Sequence, residues 1–274
     1  MNILKEKSLW FILYGIFVTF VFLYLLFPSD IAISRLEEAA NSSDLILKMD
    51  SLRPALPFGF KMKNINISSS PANIYFQGER LDLQFNPFSI FQKNKTIGLA
   101  GSAYGGNFSG RFGLASYSKI YPPEEGKLKF QNIDLAKYAF IRTWMGREVT
   151  GRASGIWTHA FNSSGPGRNL SGTIALSLIK GTYALTEPFL GLNKIDFDRG
   201  EINAQLKNGV IRLEKLQISG PQIDCFLSGE IALADDFKNS QLNLNGEMTL
   251  SEKKSVKMKI TIGGTLINPV FRYI

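Results

Sequence analysis

A short phrase recurs along this chain, and it constrains the fold more than any other feature. SGRFGL at 109–114, TGRASGIW at 150–157, LSGTIAL at 170–176, LSGEIAL at 227–233, LNGEMTL at 244–250 and IGGTL at 262–266 share one grammar: a small residue, Gly, a polar residue, then apolar residues at every second position. Alternation with a period of two places successive side chains on opposite faces, so each copy predicts a strand with one greasy face. The Gly reads as the point where the chain turns or twists into that strand. Copies begin 41, 20, 57, 17 and 18 residues apart, too irregular for a strict solenoid.

Partner strands are predicted at 127–134, 180–185, 200–206, 210–218, 222–226, 241–245 and 256–262. Asn208-Gly209, Asn245-Gly246, Asp198-Arg199-Gly200 and Ser219-Gly220 read as hairpin turns, which makes the neighbours antiparallel. Residues 61–68 (KMKNINIS) alternate strictly, with Lys61, Lys63, Ile65 and Ile67 on one side and Met62, Asn64, Asn66 and Ser68 on the other. Helical patterns are scarce: 31–41, 135–145 ending at Gly146 as a cap, and a turn at 186–192. Residues 52–60, with Pro54, Pro57 and Gly59, read as a turn. So few helices cannot cover ten or more strands, so the sheet must curl into a half-barrel or form two layers.

The N-terminus carries a different signal. Residues 9–27 (LWFILYGIFVTFVFLYLLF) hold no charge, and Trp10 and Tyr24 suit membrane interfaces. The run is long for a signal peptide and lacks a small-residue cleavage pattern, so an uncleaved transmembrane helix is expected. Lys5 and Lys7 precede it, which favours a cytoplasmic N-terminus. The expected organisation is a cytoplasmic segment at 1–8, a transmembrane helix at 9–27, a short amphipathic helix and connector at 28–60, and a periplasmic β-domain at 61–274. The localisation expected is the bacterial inner membrane, single-pass, with the bulk periplasmic.

Chemistry is thinly supplied. One His and one Cys leave no disulfide framework and no ordinary zinc site, and Cys225 sits in an apolar segment as a small hydrophobe. Asp196-x-Asp198-x-Gly200 opens like a calcium loop, but its twelfth position is Lys207, so it reads as a hairpin turn. The Gly-rich stretch 98–113 lacks the Lys-Ser/Thr of a phosphate loop. No catalytic, cofactor-binding or metal-ligating residue is expected, and an anchor of this kind denies access to nucleic acid. The surplus of 31 Lys+Arg over 23 Asp+Glu is spread as i,i+2 pairs on strands, which favours anionic lipid head groups or an acidic partner.

Residues 52–68 (LRPALPFGFKMKNINIS), 195–206 (IDFDRGEINAQL), 208–213 (NGVIRL), 216–220 (LQISG), 227–233 and 263–269 (GGTLINP) resemble AsmA-like envelope proteins. Within that group the chain resembles the type II secretion system protein N family. The resemblance implies a non-enzymatic, inner-membrane-anchored component of type II protein secretion. Its implied partners are the secretin channel or the inner-membrane platform. The alternative it implies is a lipid-binding or lipid-transfer module with a hydrophobic groove for phospholipid.

Alternation in the repeated phrases nominates Phe112, Leu114, Ile156, Ile174, Leu176, Ile231, Leu233, Met248 and Leu250 as groove residues. Lys257 and Lys259, on the opposite side of their strand, are the candidate docking face. The competing reading of the nine apolar positions is a dry two-layer core.

Overall fold

The computed structural model describes residues 3–41, 45–70, 73–91, 95–114, 123–145, 147–162, 169–189, 192–250 and 256–273. It is mainly β. The strands are β1 (Ile46–Lys48), β2 (Ser51–Ala55), β3 (Gly59–Ser70), β4 (Asn73–Phe85), β5 (Lys95–Ala103), β6 (Gly106–Leu114), β7 (Glu125–Asp134), β8 (Arg152–Asn162), β9 (Asn169–Phe189), β10 (Leu192–Lys207), β11 (Val210–Ser219), β12 (Ile223–Ala232), β13 (Gln241–Leu250), β14 (Val256–Gly264) and β15 (Pro269–Tyr273). The helices are α1 (Ile3–Leu25), α2 (Ser29–Asn41) and α3 (Ala139–Met145).

All fifteen strands belong to one antiparallel sheet, in which β3 to β15 run in sequence order and β1 and β2 both pair with β3. The sheet is not closed. Its turns follow from local chemistry: Tyr104-Gly105 and Asn208-Gly209 both take positive φ, the conformation that matches the twist of two-residue hairpins. One face carries the apolar residues of every strand, and we call it the inner face. Leu227, Leu244 and Met248 lie on it, and it continues through Ile260 and Ile262 of β14 and through Ala204 and Leu213 of β10 and β11.

The sheet curls. Cα atoms of β10 and β12, which are next-but-one neighbours, come within 8 Å of each other, against about 9.6 Å in a flat sheet. Curling lets adjacent strands shade one another, so Ile223 and Met248 are only 2% and 3% exposed although no second layer faces them among the described residues. Two-layer packing is therefore not what forms. The accessible surface of 18615 Å² for 30.5 kDa is more than half as much again as the roughly 11,800 Å² of a compact monomer of this mass.

Several sequence expectations are corrected. The fold class anticipated a transmembrane helix before the sheet, but among the described residues no helix is long and apolar enough to cross a membrane. α1 ends at Leu25, so its uncharged part from Leu9 onward covers only about 25 Å at 1.5 Å per residue, against a hydrocarbon core of about 30 Å. The last residue of the apolar run, Phe27, instead packs on the sheet, with its ring centroid 6.0 Å from that of Phe60, among Met49, Leu52, Met62 and Ile65. The connector at 28–60 holds two strands, β1 and β2, and α2 lies against both. Asp196, Asp198 and Gly200 sit inside β10, and Asn245-Gly246 inside β13, so neither is a turn. Residues 186–189 extend β9 rather than forming helix. The helix anticipated at 135–145 is split into a 3-10 turn at Leu135–Lys137 and α3. The cap at Gly146 lies outside the described residues.

Candidate functional site

The inner face is the candidate site, and cross-strand register builds it residue by residue. Phe112 pairs with Ile97 and Gly126; Ile174 pairs with Trp157 and Ala204; Leu176 pairs with Gly155 and Ile202. Ile231 pairs with Ile211 and Leu242, Met248 with Cys225 and Met258, and Leu250 with Ile223 and Val256. Directly paired residues share a face. Phe112, Leu114, Ile174, Leu176, Ile231, Met248 and Leu250 therefore lie together on the inner face. Leu233 falls one residue past the end of β12, half-buried, with its N–H donated to the Gly209 carbonyl at 2.8 Å.

Ile156 does not belong to this set. It pairs with Lys129 and Ala175 on the outer face and is 39% exposed. The inner position of β8 is Trp157, whose ring stacks on His159 with centroids 4.6 Å apart. Phe108, Leu128 and Phe130 join it from β6 and β7. A signal in the sequence marks these residues. In five of the six copies an inner residue is two after a Gly of the phrase: Gly110 gives Phe112, Gly172 gives Ile174, Gly229 gives Ile231, Gly246 gives Met248, and Gly155 gives Trp157.

The face is apolar but incompletely covered. Ile174, Ile202, Ile211, Leu216, Cys225, Ile231, Leu242, Leu250 and Met258 are only partly buried, and Trp157 is 36% exposed. Burial against its strand neighbours pushes the Cys225 thiol up to about 11, so it stays a protonated, unreactive lining group. His159 is buried, with Nε2 3.4 Å from the Pro123 carbonyl and Nδ1 without a partner. Its ring lies over Gly126, where a Cβ would stand 2.2 Å from it.

Among the described residues no group of three His, Cys, Asp or Glu is placed to hold a metal. Asp196 accepts from Thr182 Oγ1 at 2.8 Å and pairs with Lys194 at 3.1 Å, and these partners hold its carboxyl below the usual range. Lys257 and Lys259 are exposed on the outer face, Lys259 directly across from Glu247 and Lys257 across from Thr249. In comparisons with known proteins, no family model, no curated protein and no solved structure matches the chain.

Proposed function

We propose that this chain is an AsmA-like lipid-binding module of the bacterial envelope, holding acyl chains along the inner face of its sheet. The observation that carries the reading is a single-layer sheet whose apolar face, met by Phe27 and α2 at β1–β3, has no protein layer opposite it over β8–β14 among the described residues. Such a face costs free energy in water at roughly 25 cal/mol per Å², and an acyl chain removes that cost without needing any specific polar contact. A phospholipid would lie with its tails against Ile174, Leu176 and Ile231 and its head group at the open side, where it stays hydrated.

A second reading, a non-enzymatic component of type II secretion, is favoured by the open end of the sheet. β15 pairs with β14, and its Val270 and Tyr273 are 50% and 59% exposed, so a strand of a secretion subunit could extend the sheet there. Photocrosslinking in cells separates the two. With a benzophenone side chain at Leu176 or Ile231, lipid adducts are expected, and Phe226, exposed on the outer face of β12, should give none. Adducts to a secretion subunit at Val270, with Leu176 silent towards lipid, would reverse the order of the readings.

A further inference from the structure

The net charge of the chain is not spread over the sheet. Residues 45–162 hold 15 Lys+Arg against 7 Asp+Glu, whereas residues 163–274 hold 13 against 11. The register shows how differently the two halves treat their outer faces. In the C-terminal half, opposite charges meet: Arg212 bonds Glu230 at 3.0 Å, Lys215 bonds Glu201, and Glu247 stands across from Lys259. In the N-terminal half, like charges meet: Arg53 is directly opposite Lys61, Lys63 opposite Arg80, and Arg111 opposite Lys127. Like charges placed directly across strands are destabilising.

Asp82 is the acid across from Lys61, and it is bonded to Arg80. Arg53, Lys61, Lys63, Arg111, Lys127 and Lys129 are all exposed and make no ion pair among the described residues. Between them β5 presents only the small outer residues Thr96, Gly98, Ala100 and Ser102. The outer face therefore carries two cationic clusters, Arg53, Lys61 and Lys63 on β2–β3 and Arg111, Lys127 and Lys129 on β6–β7, with Arg80 paired to Asp82 and the neutral β5 between them, over roughly 24 Å at the usual strand spacing.

We propose that this outer face of β2–β7 docks on an anionic lipid bilayer. The proposal does not rest on the acyl-chain reading of the inner face. A bilayer, rather than an acidic protein, fits because the same chain carries an exposed apolar helix. Phe27, where α1 meets the sheet, packs on Phe60 on the inner face of the edge strands that carry Arg53 and Lys61 on their outer face. α1 itself exposes Trp10, Phe11, Tyr14, Phe17 and Leu25. An anionic bilayer offers both phosphate charge and apolar depth, and an acidic protein surface offers only the first.

The test is flotation of the full chain with vesicles of phosphatidylcholine alone or with about a third phosphatidylglycerol. The comparison is between native protein, the triple variant Arg111→Gln/Lys127→Gln/Lys129→Gln and the double variant Lys257→Gln/Lys259→Gln. Partitioning due to α1 is common to both vesicle types, so the readout is the anionic excess. That excess should fall about 5-fold per cation removed, hence roughly a hundredfold in the triple variant, while the double variant stays within about twofold. It should also shrink with added salt. Equal partitioning into both vesicle types, or equal losses in the two variants, would overturn the proposal. Binding to polyglutamate with no anionic excess would reassign the clusters to an acidic protein. Unchanged melting of the triple variant is expected, since it loses a like-charge pair, and guards against a folding artefact.

Discussion

Replacing Gly246 with Ala tests how closely β12 and β13 approach on the inner face. A Cβ at Gly246 would stand 1.8 Å from the Phe226 carbonyl oxygen and 2.9 Å from the Leu227 Cα. Ordinary contact begins near 3.4 Å, so the backbone of β12 would have to retreat by about 1.5 Å in the middle of its ladder with β13. Overpacking of this kind costs about 3 kcal/mol, offset by about 0.5–1 kcal/mol from the lower entropy of the unfolded Ala chain. The net loss of roughly 2 kcal/mol corresponds to about 4–8 °C in Tm for a chain of this size. Gly263 supplies the control, because it stands in the same phrase yet faces outward. The nearest heavy atom to its Cβ would be the Leu242 carbonyl oxygen at 3.9 Å. Gly263→Ala should leave the melting temperature unchanged or slightly raised. Thermal melts followed by circular dichroism decide the matter. Equal melting of the two variants would refute the assignment of Gly246 to a close inter-strand approach.

Leu176→Lys should destabilise the protein by several degrees in a melt and abolish copurifying lipid, whereas Ile156→Lys, on the outer face, should change stability by no more than about 0.5 kcal/mol. Cys225 should react slowly with a thiol reagent near neutral pH and slower still with lipid added, and rapidly once urea unfolds the chain. Its raised thiol also has a pH signature: the unfolded chain ionises first, so stability declines as the pH climbs from 9.0 toward about 11. Conversely, the depressed Asp196 carboxyl contributes stability above its ordinary value of 3.8 that is lost as the pH falls through its lower native value. Thr182→Val, which removes the first of its partners, should raise that carboxyl in an NMR titration; no movement would sink the hydrogen-bond account.

Much of the sheet was readable from the repeated phrase, because a strand with one buried face must alternate. What alternation could not carry is its own interruptions. Strict parity puts Lys63 and Ile65 on one face, yet Lys63 is exposed and Ile65 only 2% exposed. The phase changes at Asn64, whose φ of 50° inserts a local kink. Asn132 and Lys180 take φ of 60° and 45°, a backbone conformation that non-Gly residues announce only weakly. Asp198-Arg199-Gly200 and Asn245-Gly246 carry turn chemistry but lie inside strands, since turn residues report a permitted φ rather than a reversal. Alternation alone leaves the phase of TGRASGIW open and puts Ile156 inward, whereas counting two residues from Gly155 recovers Trp157. The absence of a layer facing β8–β14 among the described residues had only an indirect sign, the shortage of helical sequence.

The order of the strands has a bearing on how the chain is made and how it changes. From β4 onward each strand bonds only to the strands before and after it in sequence, so the sheet grows by hairpins between neighbours. Each hairpin can set on its predecessor as synthesis proceeds, without waiting for distant segments, and loop closure is correspondingly fast. The same architecture makes length adjustable. Inserting or deleting one hairpin leaves every other pairing intact, as in repeat proteins whose stability is a sum over neighbours. Removing β14 and β15 together should leave β3–β13 paired as before, with β13 as the new terminal strand.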